Sequence, residues 1–208
     1  MPSNILLHYN GKQPYGSNQC GAYALTACLL ALDNVPKPKN PIDLEYQLPG
    51  LPWSRSARVP PSQVDPATSM DLCAANIYTI TGLCNPVTLA YEQYTTVGVN
   101  PVSALAWVAQ EMGCKVSVWV NNIAYNDLSA RYPLEQAMIT TVLSTPPIIS
   151  NVEPDFKNDE VRLMLVQGGG HWVARGSNYY DPATGGMTTE MPGGYVSSQC
   201  HITLSQAG

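Results

Sequence analysis

Cys20, His171 and Asp181 are the residues of this chain whose types and neighbours could carry out covalent chemistry. Cys20 lies in Asn18-Gln19-Cys20-Gly21-Ala22-Tyr23-Ala24, where polar residues give way to a helix-forming run. A thiol in the first turn of a helix sits near the positive end of the helix dipole, beside backbone N–H groups that have no helical partner. Both favour thiolate over thiol, and the thiolate is the nucleophile. His171 lies in the apolar, strand-like stretch Gly169-Gly170-His171-Trp172-Val173-Ala174, and Asp181 follows in Tyr180-Asp181-Pro182. A base, and a carboxylate to orient it, are what such a thiolate needs for acyl transfer.

Taken singly, each residue also fits an ordinary structural role. A cysteine in an apolar helix behaves as a small buried hydrophobe. A histidine on a strand fits hydrogen-bonded structure, and Asp-Pro followed by Thr184-Gly185 is a turn signal that Asp181 could cap. The order and neighbours of the three together carry the chemical reading. His8 and His201 lack such a context and read as structural or surface residues. Gly168-Gly169-Gly170 precedes no helix and so is no phosphate loop. It reads as a hairpin turn, or as a place where substrate backbone approaches His171.

The elements that must position these groups follow from periodicity. Residues 1–17 read as a short strand at Ile5-Leu6-Leu7 and a polar loop. From Gln19 to about Asn34 the apolar positions recur at three and four, predicting a helix apolar nearly all round and central to the core. Residues 35–67 hold eight prolines and read as an irregular connection, either a substrate wall or a packed crossover. Thr68 or Ser69 is expected to cap a helix to about Gly82, and Asn100-Pro101 to start another to Gly113. Residues 114–120 alternate as a half-buried strand. A helix over about Leu134–Leu143 precedes the strand-like runs Ile148-Ile149, Val161–Val166, His171–Arg175, Ser177–Tyr180 and Cys200–Leu204. Helices first and strands later predict an α+β chain with an antiparallel sheet, in one domain over 1–208.

Composition narrows the classes. Apolar residues make up 45% of the 208 residues, which excludes a disordered chain. A net charge of −5 without a basic patch argues against nucleic acid as a partner. One Phe against 12 Tyr predicts aromatics at wet boundaries. The six cysteines form no CxxC pair and there are three histidines, so no zinc site and no cofactor is expected. A Cys73–Cys84 bridge is left open. No apolar run approaches a membrane span, and Met1 to His8 has no signal-peptide pattern. The expected location is the cytosol, or export without a signal peptide.

The order of parts resembles the papain-like cysteine peptidase superfamily, and within it the C39-like bacterial peptidases and related effector domains. The matching features are Gln13, then Cys20-Gly21-x-x-Ala24 opening a helix, then Pro147-Ile148-Ile149. They end with Gly170-His171-Trp172-Val173 and Tyr179-Tyr180-Asp181-Pro182. The resemblance implies a papain-like fold with the nucleophile at the start of a central helix packed on a C-terminal antiparallel sheet. It implies Cys20 as nucleophile, His171 as base and Asp181 as orienting residue. Gln13 would be the side-chain donor of the oxyanion hole, with Gln19 as the alternative. The implied substrate is a protein or peptide, with no nucleic acid or membrane partner; an immunity protein is not derivable. A Gln/Asn deamidase, a transglutaminase-like acyltransferase and an inactive binding module share the same parts, and the cleft rim would separate them.

Overall fold

The computed structural model describes residues 11–32, 42–47, 53–59, 66–92, 97–166, 170–192, 195 and 199–206. The expected strand at Ile5–Leu7 lies outside them. The centre is α1, Cys20–Ala31, of which every residue but Leu30 is buried. It contains no charged residue, so no face of it requires water; its buried Thr26 Oγ1 donates to Ala22 O at 2.8 Å, and the hydroxyl of its buried Tyr23 is hydrogen-bonded with Asp71. Helix α2, Pro66–Thr81, packs on one side of α1, and the C-terminal sheet on the other.

That sheet has seven strands in the order β4-β3-β9-β5-β6-β7-β8. Their ranges are β3 Cys114–Asn121, β4 Ile148–Ser150, β5 Glu160–Val166, β6 His171–Arg175, β7 Tyr179–Asp181, β8 Gly186–Thr188 and β9 Cys200–Gln206. The result is the expected α+β, papain-like arrangement, with a central helix against a C-terminal sheet. One departure is that β3 and β4 run parallel, whereas the other pairs are antiparallel. Parallel neighbours need a long crossover. Here it consists of α4, Asn122–Arg131, which sequence periodicity did not reveal, and α5, Glu135–Leu143.

Three further expectations are corrected. The proline-rich 35–67 segment is not wholly irregular: β1, Ile42–Gln47, and β2, Ser54–Val59, form an antiparallel hairpin between its prolines. Helix α2 begins at Pro66, which puts Thr68 and Ser69 inside it rather than at its cap. Tyrosine is not confined to wet boundaries. Tyr46 and Tyr180 are among the largest fully buried side chains, and Tyr180 reconciles its hydroxyl with burial by donating to Gly11 O at 2.8 Å. The six cysteines are buried and none is in a disulfide, so Cys73 and Cys84 are not bridged.

The Asn100-Pro101 signal marks the right place for the wrong reason. Helix α3 spans Val102–Glu111 and its preceding residue is Pro101, with no side-chain cap. Its first turn is satisfied from α5 instead. The buried Glu135 carboxylate accepts the Ser103 N–H at 2.8 Å, as well as the Ser103 and Tyr91 hydroxyls. A carboxylate at a helix N-terminus meets the unpaired N–H groups and the positive end of the dipole. Asn100 is thereby released for other contacts.

Candidate active site

Cys20 is the first residue of α1 and is 8% exposed. The loop before it is pinned from both sides. Ser17 N–H donates to Pro14 O at 3.0 Å, the Asn18 side chain donates to Val97 O, and Asn18 O accepts Asn100 Nδ2 at 2.6 Å. Gln19 takes the cap position without a side-chain capping bond.

His171 opens β6 and Asp181 closes β7, the two arms of an antiparallel hairpin paired at Ala174–Tyr180 and Arg175–Tyr179. The hairpin brings their side chains together: His171 Nε2 lies 2.9 Å from Asp181 Oδ1. A carboxylate only accepts, so Nε2 carries the proton and Nδ1 is left for the hydrogen bond with the Cys20 side chain. Asp181 also opens the following turn, its Oδ1 accepting the Ala183 N–H at 2.9 Å and its carbonyl the Gly185 N–H at 2.9 Å. The turn role and the histidine contact are held by the same residue. Tyr195, which follows Gly193-Gly194 in a stretch with no readable sequence signal, donates to Asp181 Oδ2 at 3.3 Å and lies against the His171 ring.

The electrostatics follow from this packing. Burial by itself would lower the His171 pKa. Hydrogen bonds and charge interactions with Asp181 and Cys20 outweigh it and raise it to about 9. Burial likewise works to raise Asp181, but the hydrogen bonds from His171 and the Ala183 N–H hold it below the usual carboxylate range. Burial and the neighbouring Asp181 push Tyr195 up to about 12, so its hydroxyl stays a donor.

Of the two glutamines, Gln13 is tied to the turn after Asp181 and to the loop before Cys20. Its backbone N–H donates to Pro182 O at 3.0 Å and its Nε2 to Ser17 O at 3.3 Å. Gln19 is half-buried beside Cys20. His201 is buried and stacked on Trp119, away from these groups in role, and burial with the nearby Arg162 and Arg175 charges lowers its pKa to about 3. Among the described residues, no three or more His, Cys, Asp or Glu side chains are grouped to hold a metal ion.

A cavity of about 350 Å³ opens beside Cys20. Its floor is a row of cross-strand partners on one sheet face: Trp172 opposite Leu165, Leu165 opposite Cys200, Cys200 opposite Val120. Pro147, just before β4, closes the far end. Four neighbouring strands separated by ~4.8 Å make this row about 14 Å long. Tyr125 and Leu128 of α4 and Ile139 of α5 line it from the other side. The cavity is therefore elongated and mostly apolar, and it begins at the thiol.

Residues 12–205 match the family described as Invasion plasmid antigen J, cysteine protease. The chain belongs to that family. The match takes in Cys20, His171 and Asp181, and makes the chain an enzyme of the cysteine peptidase kind, acting on protein substrates. No curated protein and no solved structure shows a significant match to it. No helix among the described residues is long and apolar enough to cross a membrane.

Proposed function

We propose that the protease cleaves a peptide bond through a thioester on Cys20, with His171 as general base and acid and Asp181 as its orienting partner. The observation that carries this reading is the 2.9 Å contact of His171 Nε2 with Asp181 Oδ1 on a histidine that is also hydrogen-bonded to the Cys20 side chain. The Cys20 sulfur attacks the carbonyl carbon. The oxyanion is held by the Cys20 backbone N–H, unpaired at the helix start, and by the Gln13 amide, which gives one of its two hydrogens to Ser17 O. Each such donor is typically worth ~3 kcal/mol in the barrier. The His171 imidazolium then protonates the leaving amine, and water, deprotonated by His171, releases the acid and restores the thiol. Asp181 stays ionised throughout.

The apolar row from Trp172 to Val120 favours a peptide bond flanked by an apolar group over a Gln or Asn side chain. A carboxamide laid against that apolar row would lose hydrogen bonds to water on that side. This supports the peptidase over the deamidase and the acyltransferase. The C39-like likeness rests on the motif residues alone, and the family description as an invasion antigen supports a role as a bacterial effector acting on a target protein.

The test is hydrolysis of a peptide library by the wild type and by C20A, H171A and D181N, with iodoacetamide labelling of the six cysteines mapped in parallel. The reading expects cleavage next to apolar groups, loss of it in C20A and H171A, and acid-side alkylation confined to Cys20 and lost in H171A. Alkylation of Cys20 at the rate of the other cysteines, unchanged in H171A, would sink it.

A further inference from the structure

The geometry points to Asn100 as the residue that sets the placement of Cys20 against His171, a positioning role outside the triad; this rests on the triad reading above. Cys20 and His171 sit on different elements, far apart in the chain, and Asn100 touches the backbone or the neighbours of both. Its Nδ2 donates to Asn18 O at 2.6 Å, two residues before Cys20. Its backbone carbonyl accepts the indole N–H of Trp172, the residue after His171, at 3.1 Å. Gly21, the residue after Cys20, lies so close that a Cβ there would stand 2.7 Å from Asn100 Cβ and 2.8 Å from Cγ.

Asn100 is itself held so that it can act as a gauge. It is 5% exposed. The preceding Val99 exchanges two backbone hydrogen bonds with Cys84, at 2.7 and 3.2 Å. The following Pro101 restricts Asn100 to extended backbone. Thr81 Oγ1 lies 2.6 Å from Asn100 Oδ1. Asn18 O can only accept, so the amide nitrogen must face it, and the amide oxygen then takes the Thr81 hydroxyl. Amide orientation, backbone conformation and both neighbours are thus determined together. Aspartate could not replace it, since an ionised carboxylate has no donor for Asn18 O.

The test uses N100A, T81V and T81S in the full chain. It reads iodoacetamide alkylation of Cys20 from about pH 5 to about pH 9, thermal unfolding, and kcat and KM on a cleaved peptide. In N100A, and more weakly in T81V, the acid-side reactivity of Cys20 is expected to fall towards that of an unassisted thiol. The kcat of N100A is expected to drop on the order of a hundredfold, the scale of a displacement of about 1 Å, with KM moving far less. T81S keeps the hydroxyl and is expected to restore the wild-type profile. If N100A and T81V unfold at lower temperature yet keep the wild-type pH profile and kcat, Asn100 only stabilises the core and the inference is overturned. Should N100A not fold, the T81V and T81S pair decides by the same criterion. A wild type without acid-side reactivity at Cys20, or with reactivity unchanged in H171A, removes the triad reading and this inference with it. That outcome is distinct from a failure confined to N100A and T81V.

Discussion

The Tyr195 hydroxyl donates to Asp181 Oδ2 at 3.3 Å, on the carboxylate oxygen that His171 leaves free. The Tyr195 ring is tilted against the imidazole with centroids 5.6 Å apart. One side chain therefore both fixes the carboxylate and shields the His171–Asp181 bond from water, and a hydrogen bond between charged groups is stronger where water is excluded. Y195F keeps the shield and loses one donor, whereas Y195A loses both. The ring also buries the imidazolium, which by itself lowers its pKa, but the interactions with Asp181 and Cys20 outweigh burial, so His171 is expected to release its proton at lower pH in Y195A than in Y195F, read by imidazole NMR titration. Equal titration in the two variants would show that the ring does not shield the pair.

The raised His171 pKa also makes stability depend on pH. The folded value is about 9 against an ordinary 6.5, through Asp181 and Cys20 working against the burial that would lower it. A group that binds its proton more tightly when folded contributes stability fully present below about pH 6.5 and lost as pH rises through about 9. Urea unfolding across that window should therefore show stability falling with pH in the wild type and a flatter line in H171A. Parallel lines for the two proteins would contradict the shift.

Glu135 offers a stability test away from the thiol. Burial raises its pKa, although Ser103 and Tyr91 hydrogen bonds oppose that shift. E135A leaves the Ser103 N–H and two hydroxyls without their acceptor, and each orphaned buried donor costs roughly 1–3 kcal/mol. E135Q retains an acceptor oxygen and removes the buried charge. Thermal unfolding is expected to place E135Q close to the wild type and E135A well below it. Similar losses in both would mean that the charge at the start of α3, and not the hydrogen bonding, is what matters there.

Gly21 sits inside a helix, where alanine would ordinarily be favoured by about 1 kcal/mol. Here the added Cβ would meet Asn100 Cβ at 2.7 Å. G21A is therefore expected to destabilise the protein and to reduce Cys20 reactivity, despite its better helix propensity. Gly16 provides the contrast, since its Cβ position is open but its φ is +72°. G16A should lose stability through backbone strain alone and leave the ratio of acid-side to alkaline Cys20 alkylation unchanged. A wild-type ratio in G21A would mean that the packing against Asn100 relaxes without moving the thiol.

Much of the architecture is written in local pattern. The apolar run behind Cys20 predicts a buried helix because no face of it requires water, and α1 is buried almost throughout. The strand-like runs around His171 and Asp181 are separated by turn residues, and they form the hairpin β6–β7 that joins the two side chains. The helix α4 is not legible in the sequence because none of its residues is fully buried and only Tyr125 and Leu128 pack on the core, too short a stripe to show a helical period. In the 35–67 segment the many prolines hid the hairpin, since they lie between and outside the two strands.

The sequence by itself determined which residues could react, their order, and the local elements that carry them, because helix and hairpin periodicity are properties of neighbours in the chain. Only the tertiary structure decided the partners across the chain. Asn100 carries a helix-start signal with Pro101, yet its amide is held by Asn18 O and Thr81, while Glu135 from another helix serves α3. Trp172, Leu165, Cys200 and Val120 become one cavity floor solely through strand register. Tyr195 reaches Asp181 from a stretch of sequence with no pattern of its own. Such contacts depend on which surfaces meet when the chain packs, and residue spacing along a single segment carries no record of that.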